Sequence, residues 1–157
     1  MGIIVVGVIG WGVTAYNKAN TAKQIAETRR WAGLAPLPAS AADVRVFENP
    51  TFTWTGYYLR FRATSGQINA FLAASPGLKG KQPEVFSPKN QYLPMPKQGT
   101  DMGDPNVAAH SYFFEALWFN RAVRQSGRKY KVNWQGNSGE VAVDDSSHVV
   151  YVYVYDS

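Results

Sequence analysis

The sequence predicts an α+β domain carried on an N-terminal transmembrane helix, with an antiparallel sheet, one or two packed helices and a long proline-rich loop. Three observations predict it. Residues Gly2 to Tyr16 carry no charge, and Lys18 opens a polar stretch immediately after them. Short β-branched and aromatic runs are separated by turn residues in the rest of the chain. Helical patterns fall between groups of strands, without the strand-helix-strand alternation that a parallel sheet requires. At 157 residues the chain accommodates one domain with a core, not two domains plus an anchor. The expected division is an anchor over 1–17, a polar helix and proline-rich link over 18–38, and the α+β domain over 39–157.

As a helix, Gly2 to Tyr16 rises roughly 22 Å, against a hydrocarbon core of about 30 Å, so it reaches only the lower limit of a span. The run from Asn20 to Arg30 contains good helix formers and no breaker before Gly33, so the helix is expected to continue through it. Lys18 can then snorkel toward the interface. Three other readings compete. A secretory signal peptide has a short apolar centre of this kind, though here no basic residue precedes it and no small-x-small cleavage site follows. Ile3-Ile4-Val5-Val6 could also begin a buried strand. Finally, Gly10-Trp11-Gly12-Val13-Thr14-Ala15 fits the G-x-G-x-x-A dinucleotide fingerprint of a nicotinamide-cofactor enzyme, but residues 30–38 supply neither the next strand nor its acidic end.

On a helix, Gly7, Gly10, Thr14 and Asn17 recur at spacings of three, four and three, which places small or polar residues along one stripe. In lipid such residues let helix backbones approach closely, and the expectation is that this stripe packs on another membrane helix.

Gly33 and the run Leu34 to Ser40 stop the polar helix, since proline fixes φ and disfavours helix in the residue before it. Val44 to Phe47 reads as a first strand, Asn49-Pro50 as a turn and Thr51 to Arg62 as an aromatic second strand, together a hairpin. A short helix begins at Ser65, with Ile68, Phe71 and Leu72 on one face, and ends at Pro76-Gly77. Leu78 to Pro105 is a long irregular excursion rich in proline. Loops of this length are often contact surfaces, and Phe86, Tyr92, Leu93 and Met95 are its candidate partner contacts. Val107 to Arg124, crowded with large rings, is expected to form a buried helix. Arg128 to Trp134, Glu140 to Asp144 and His148 to Tyr155 read as a three-stranded meander. In its last strand Val150, Val152 and Val154 face one side and Tyr151, Tyr153 and Tyr155 the other. The tyrosine side is a second candidate partner surface.

Catalytic chemistry has little to rest on. With no cysteine there is no thiolate nucleophile, disulfide or Cys-ligated zinc. His110 and His148, the two histidines, have no metal-motif spacing to Asp101, Asp104, Asp144 or Asp145. Asp144-Asp145-Ser146-Ser147 reads as a turn, lacking the alternating acids of a calcium loop. Ser111 beside His110 lacks the flanking glycines of a nucleophile elbow. The expectation is no catalytic residue, no cofactor and no metal.

The net charge of +5 is spread between Lys18 and Lys131 without a dense block, and no nucleic-acid motif accompanies it. Arg60 and Arg62 share a strand face with Tyr58 and Trp54, while Arg128, Lys129 and Lys131 occupy a later strand. Such an aromatic-basic sheet could hold an anionic ligand or polymer, so that reading stays open.

From Trp31 to Ala74, with the link Pro36-Leu37-Pro38-Ala39-Ser40-Ala41-Ala42-Asp43-Val44 before an aromatic strand, the chain resembles uncharacterised bacterial proteins that have an N-terminal membrane anchor and an exported α+β domain. The resemblance implies anchoring with the domain on the exported side. Lys18, Lys23, Arg29 and Arg30 after the apolar segment favour the cytoplasmic side instead. The leading expectation is a non-catalytic, single-span accessory subunit of the cell membrane. It would dock on a larger membrane protein complex, with respiratory and photosynthetic complexes the first places to search. The partners are then the lipid bilayer and the subunits of that complex.

Overall fold

The computed structural model describes residues 5–50, 55–86, 119 and 126–156, the side chains of 5–17, 50 and 86 excepted. Among them the chain forms α1 (Val5–Ala32), β1 (Ala42–Pro50), β2 (Thr55–Arg62), α2 (Ser65–Ala74), a 3-10 turn (Pro76–Leu78), β3 (Glu84–Phe86), β4 (Gly127–Trp134), β5 (Asn137–Asp144) and β6 (Val149–Asp156). The strands make one six-stranded sheet in the order β1-β2-β6-β5-β4-β3, with every neighbouring pair antiparallel. The described residues form an α+β fold, with an antiparallel sheet and two α-helices. The helix expected over Val107 to Arg124 lies outside the described residues except for Phe119.

α1 is a single unbroken helix of 28 residues, about 42 Å long. Val5 and Val6 are helical, so a strand over Ile3 to Val6 is not formed there. Gly10 and Gly12 lie inside the helix instead of at a strand-to-helix turn. Together with the antiparallel sheet, this removes the dinucleotide-fold reading. Among the described residues no helix is long and apolar enough to cross a membrane.

The C-terminal end of α1 closes as a Schellman motif. Leu34 N–H donates to Arg29 O at 2.8 Å, Gly33 N–H donates to Arg30 O at 3.4 Å, and Gly33 takes φ +60°. The chain does not then leave the domain as a free link. Thr28, Ala32, Leu34 and Ala35 are buried, and Trp31 meets Tyr57 edge-on at 5.0 Å. The Ser75 hydroxyl donates to Phe71 O at 2.7 Å and accepts from Ala35 N–H at 3.1 Å, tying the link to the end of α2. Gly77 N–H donates to Gly33 O at 2.7 Å, and a Cβ on Gly77 would stand 2.2 Å from Ala32 O. The backbones approach this closely because glycine has no side chain. α2 starts with a capping box, in which Thr64 and Gln67 each satisfy the other's free backbone donor.

Period-two geometry then sorts the sheet. One face carries Tyr57, Leu59, Phe61, Tyr130, Val132, Val141, Val143, Val150, Val152 and Val154, buried with Ile68, Phe71 and Leu72 of α2 and the end of α1. The opposite face carries Tyr58, Ala142, Val149, Tyr151 and Tyr153, with Phe47, Tyr155 and Phe119 against them.

Candidate interaction surface

The second face is where the polar and charged residues of the sheet gather. Register aligns them in two rows across the strands. Phe47, Tyr58, Tyr153, Glu140 and Lys131 follow one another across β1, β2, β6, β5 and β4. The next row is Arg45, Arg60, Tyr151, Ala142, Lys129 and, on β3, Glu84.

Rings fill the centre. Tyr58 and Tyr153 lie 4.7 Å apart by centroid, and Tyr153 stacks on Tyr155 at 5.3 Å. Phe119 stands edge-on to Tyr58 at 5.2 Å and to Tyr151 at 5.4 Å, the T-shaped arrangement that ring quadrupoles favour. Of the three tyrosines expected to meet a partner, Tyr151 is 4% exposed and Tyr153 1%, while Tyr155 is half-buried. The first two are therefore committed to intramolecular packing, and only Tyr155 keeps area for another molecule.

Ion pairs flank the rings. Asp43 accepts from Arg45 at 3.0 Å and from Arg60, whose guanidinium carbon lies 6.0 Å from the Tyr151 ring centre. Desolvation works to raise the Asp43 carboxyl, but the two arginines outweigh it and hold it below the usual carboxylate range. On the other flank Lys129, 8% exposed, reaches Glu84 at 3.0 Å and Glu140 at 3.6 Å. Burial raises the Glu140 carboxyl. Lys129 and Lys131 pull it down and Glu84 pushes it up, and the net direction is up. Asp144 goes the other way: its desolvation is overcome by hydrogen bonds from Ser146 and Ser147, and its carboxyl is lowered. That cluster is the turn expected at Asp144 to Ser147. Arg128 belongs to the first face, where it donates to Asp145 at 2.7 Å and to Asn69 of α2 at 3.1 Å.

Among the described residues, three buried side-chain atoms have no hydrogen-bond partner: Asn49 Nδ2, Arg60 Nε and Glu140 Oε2. The register puts all three on this second face. An open groove of about 260 Å³ lies on the same side of the sheet, bounded in part by Glu140 and Tyr155.

The other expected positions are scattered. Gly7, Gly10, Thr14 and Asn17 lie along α1, and Phe86 ends β3 opposite Gly127. Tyr92, Leu93 and Met95 lie outside the described residues, as do His110, Asp101 and Asp104. His148 is exposed in the turn before β6, and no group of three or more metal-capable side chains exists among the described residues. Sequence reasoning missed β3 and both carboxylate-cation clusters. Asp43 lies 17 residues from Arg60, and Glu84 and Glu140 lie 45 and 11 residues from Lys129, separations that strand pairing closes. No family model, curated protein or solved structure matches the chain.

Proposed function

We propose that this chain is a non-catalytic accessory subunit in which α1 tethers the α+β domain to a membrane and the domain docks on a larger membrane protein complex. The observation that carries this reading is the continuity of α1. Its C-terminal end is locked into the core by Thr28, Trp31 and Ala32, whereas residues 18–23 are exposed. The helix therefore leaves the domain as a stiff arm whose far end bears the charge-free segment of the sequence. A lone arm of that composition exposes apolar surface unless lipid or another helix covers it. The uncharged segment is short for a span, so local bilayer thinning or snorkelling by Lys18 completes the fit.

The stripe of Gly7, Gly10, Thr14 and Asn17 would then face a helix of the partner complex, and Tyr155 is the tyrosine left to meet the partner's surface. The domain is placed on the exported side, in keeping with the resemblance around the link. Binding of an anionic polymer has less support. Arg60, beside the Tyr151 ring, and the buried Lys129 already face carboxylates, and Arg128 faces away.

The test is purification from native membranes in mild detergent, followed by size-exclusion chromatography and mass spectrometry of the fraction holding the chain. Co-migration with a large complex is the expected result. Migration alone would remove the accessory role, and recovery without detergent would remove the tether. Protease added outside the cell should degrade the domain; sparing it would reverse the assigned side.

A further inference from the structure

We propose that the groove over β4, β5 and the end of β6 binds one ring of a neutral sugar. This inference stands apart from the membrane tether and from any docking partner.

The site is a small grid set by register. Asn133 lies opposite Ser138, and Ser138 opposite Tyr155; in the next row Lys131 lies opposite Glu140, and Glu140 opposite Tyr153. Five of these side chains, Lys131, Asn133, Ser138, Glu140 and Tyr155, line the groove of about 260 Å³, and Tyr153 backs it by stacking on Tyr155.

Charge narrows the class of ligand. Glu140 lines the groove, and its Oε2 is buried without a hydrogen-bond partner. A cationic donor would meet Lys129, 3.6 Å from the same carboxylate, and Lys131 on the neighbouring strand. An anion would meet the Glu140 carboxylate itself. A neutral hydroxyl avoids both repulsions. The remaining polar groups suit a ligand dense in hydroxyls: Lys131 donates, while the Asn133 amide and the Ser138 hydroxyl both donate and accept. Tyr155 adds an aromatic wall for the apolar C–H face of a sugar ring. The ring can belong to a free oligosaccharide or to a glycolipid headgroup.

The experiment uses the full chain, in lipid nanodiscs where detergent is needed to recover it and in buffer where it is not, because sugar-based detergents would compete. Maltotriose, cellotriose and chitotriose are titrated by calorimetry and by tyrosine fluorescence, with glucosamine and glucuronate as charged comparators. At least one neutral trisaccharide should bind, more tightly than either comparator. Glu140→Gln should weaken that binding roughly tenfold, because a charge-assisted acceptor is lost while the shape is kept. Tyr155→Ala should weaken it by at least as much, and Val85→Ala, on the opposite face, should leave it unchanged. If Tyr155→Ala does not fold, Glu140→Gln decides alone. Nanodiscs doped with a glycolipid of the same sugar tell the two sources apart, and binding to either supports the site. No binding by any trisaccharide or glycolipid, tighter binding of a charged comparator, or full binding by Glu140→Gln overturns it.

Discussion

On one side of the sheet, Leu59, Phe61, Val132 and Val152 are covered by α2 and by the end of α1, and the burial is almost wholly apolar. On the other, tyrosine rings share the surface with Arg60, Lys129, Glu140 and Asp144, and the three buried atoms that lack a partner among the described residues are found there. Both faces come from the same strands, one residue out of phase. The first face obtains its stability from removing apolar area from water, which pH barely touches. The second is held partly by charge, so its contribution varies with proton binding. A surface that keeps unmatched donors and acceptors is also the one that can still respond to a ligand.

The largest expected effect sharpens the first half of that comparison. Phe61→Ala should lower unfolding free energy by about 3–5 kcal/mol in urea, nearly independent of pH, because a fully buried ring facing Phe71 at 5.2 Å leaves a cavity. A strong pH dependence of that loss would break the comparison. Gly77→Ala should cost about 1–3 kcal/mol, since the new Cβ overlaps Ala32 O and must push α1 away from the 3-10 turn. An unchanged melting curve for this variant would mean that the arm is not locked to the domain.

The second face should show opposite limbs in a stability profile. Asp144 is lowered in the folded state, so its contribution is present above the ordinary aspartate range and is lost as pH falls through the lowered value. Asp144→Asn should therefore cost about 1–3 kcal/mol at pH 7 and progressively less in acid. Glu140 is raised in the folded state, so its contribution is present below the ordinary glutamate range and lost as pH rises through the raised value. Glu140→Gln, the smallest effect, should leave stability at pH 7 unchanged or higher by about 1 kcal/mol or less, and flatten the profile just above the ordinary glutamate range. A clear loss at pH 7 would mean that the Lys129 pair outweighs the burial of the carboxylate.

The boundaries of α2 were legible because Thr64, Gln67 and Pro76 punctuate it locally, and the alternation of Val150 to Tyr155 was legible because it is a run of strict period two. The pairing of β1 with β2 and of β4, β5 and β6 in a meander was legible for the same reason, since these strands are neighbours in sequence, but Asn49 and Pro50, expected as the hairpin turn, belong to β1 and pair with Gly56 and Thr55. β3 was not, because three residues carry too little pattern to separate a strand from a loop. Where the link packs was not legible. Its prolines signal a helix stop correctly, but nothing local shows that Leu34 and Ala35 meet Ser75 and the 3-10 turn. The candidate groove was equally hidden, because Lys131, Glu140 and Tyr155 mean little until register sets them side by side.

From the sequence alone came the identity of α1, α2 and the five longer strands, the charge-free N-terminal segment and the alternation of faces along β6. These depend on interactions within a few residues, where backbone periodicity and turn chemistry dominate. Only the tertiary structure decided that β6 inserts between β2 and β5, that α1 is anchored by its end in the core, and which carboxylate meets which cation. Those outcomes depend on pairings between distant parts of the chain, selected by burial of one face and by register, and no short window of residues contains them.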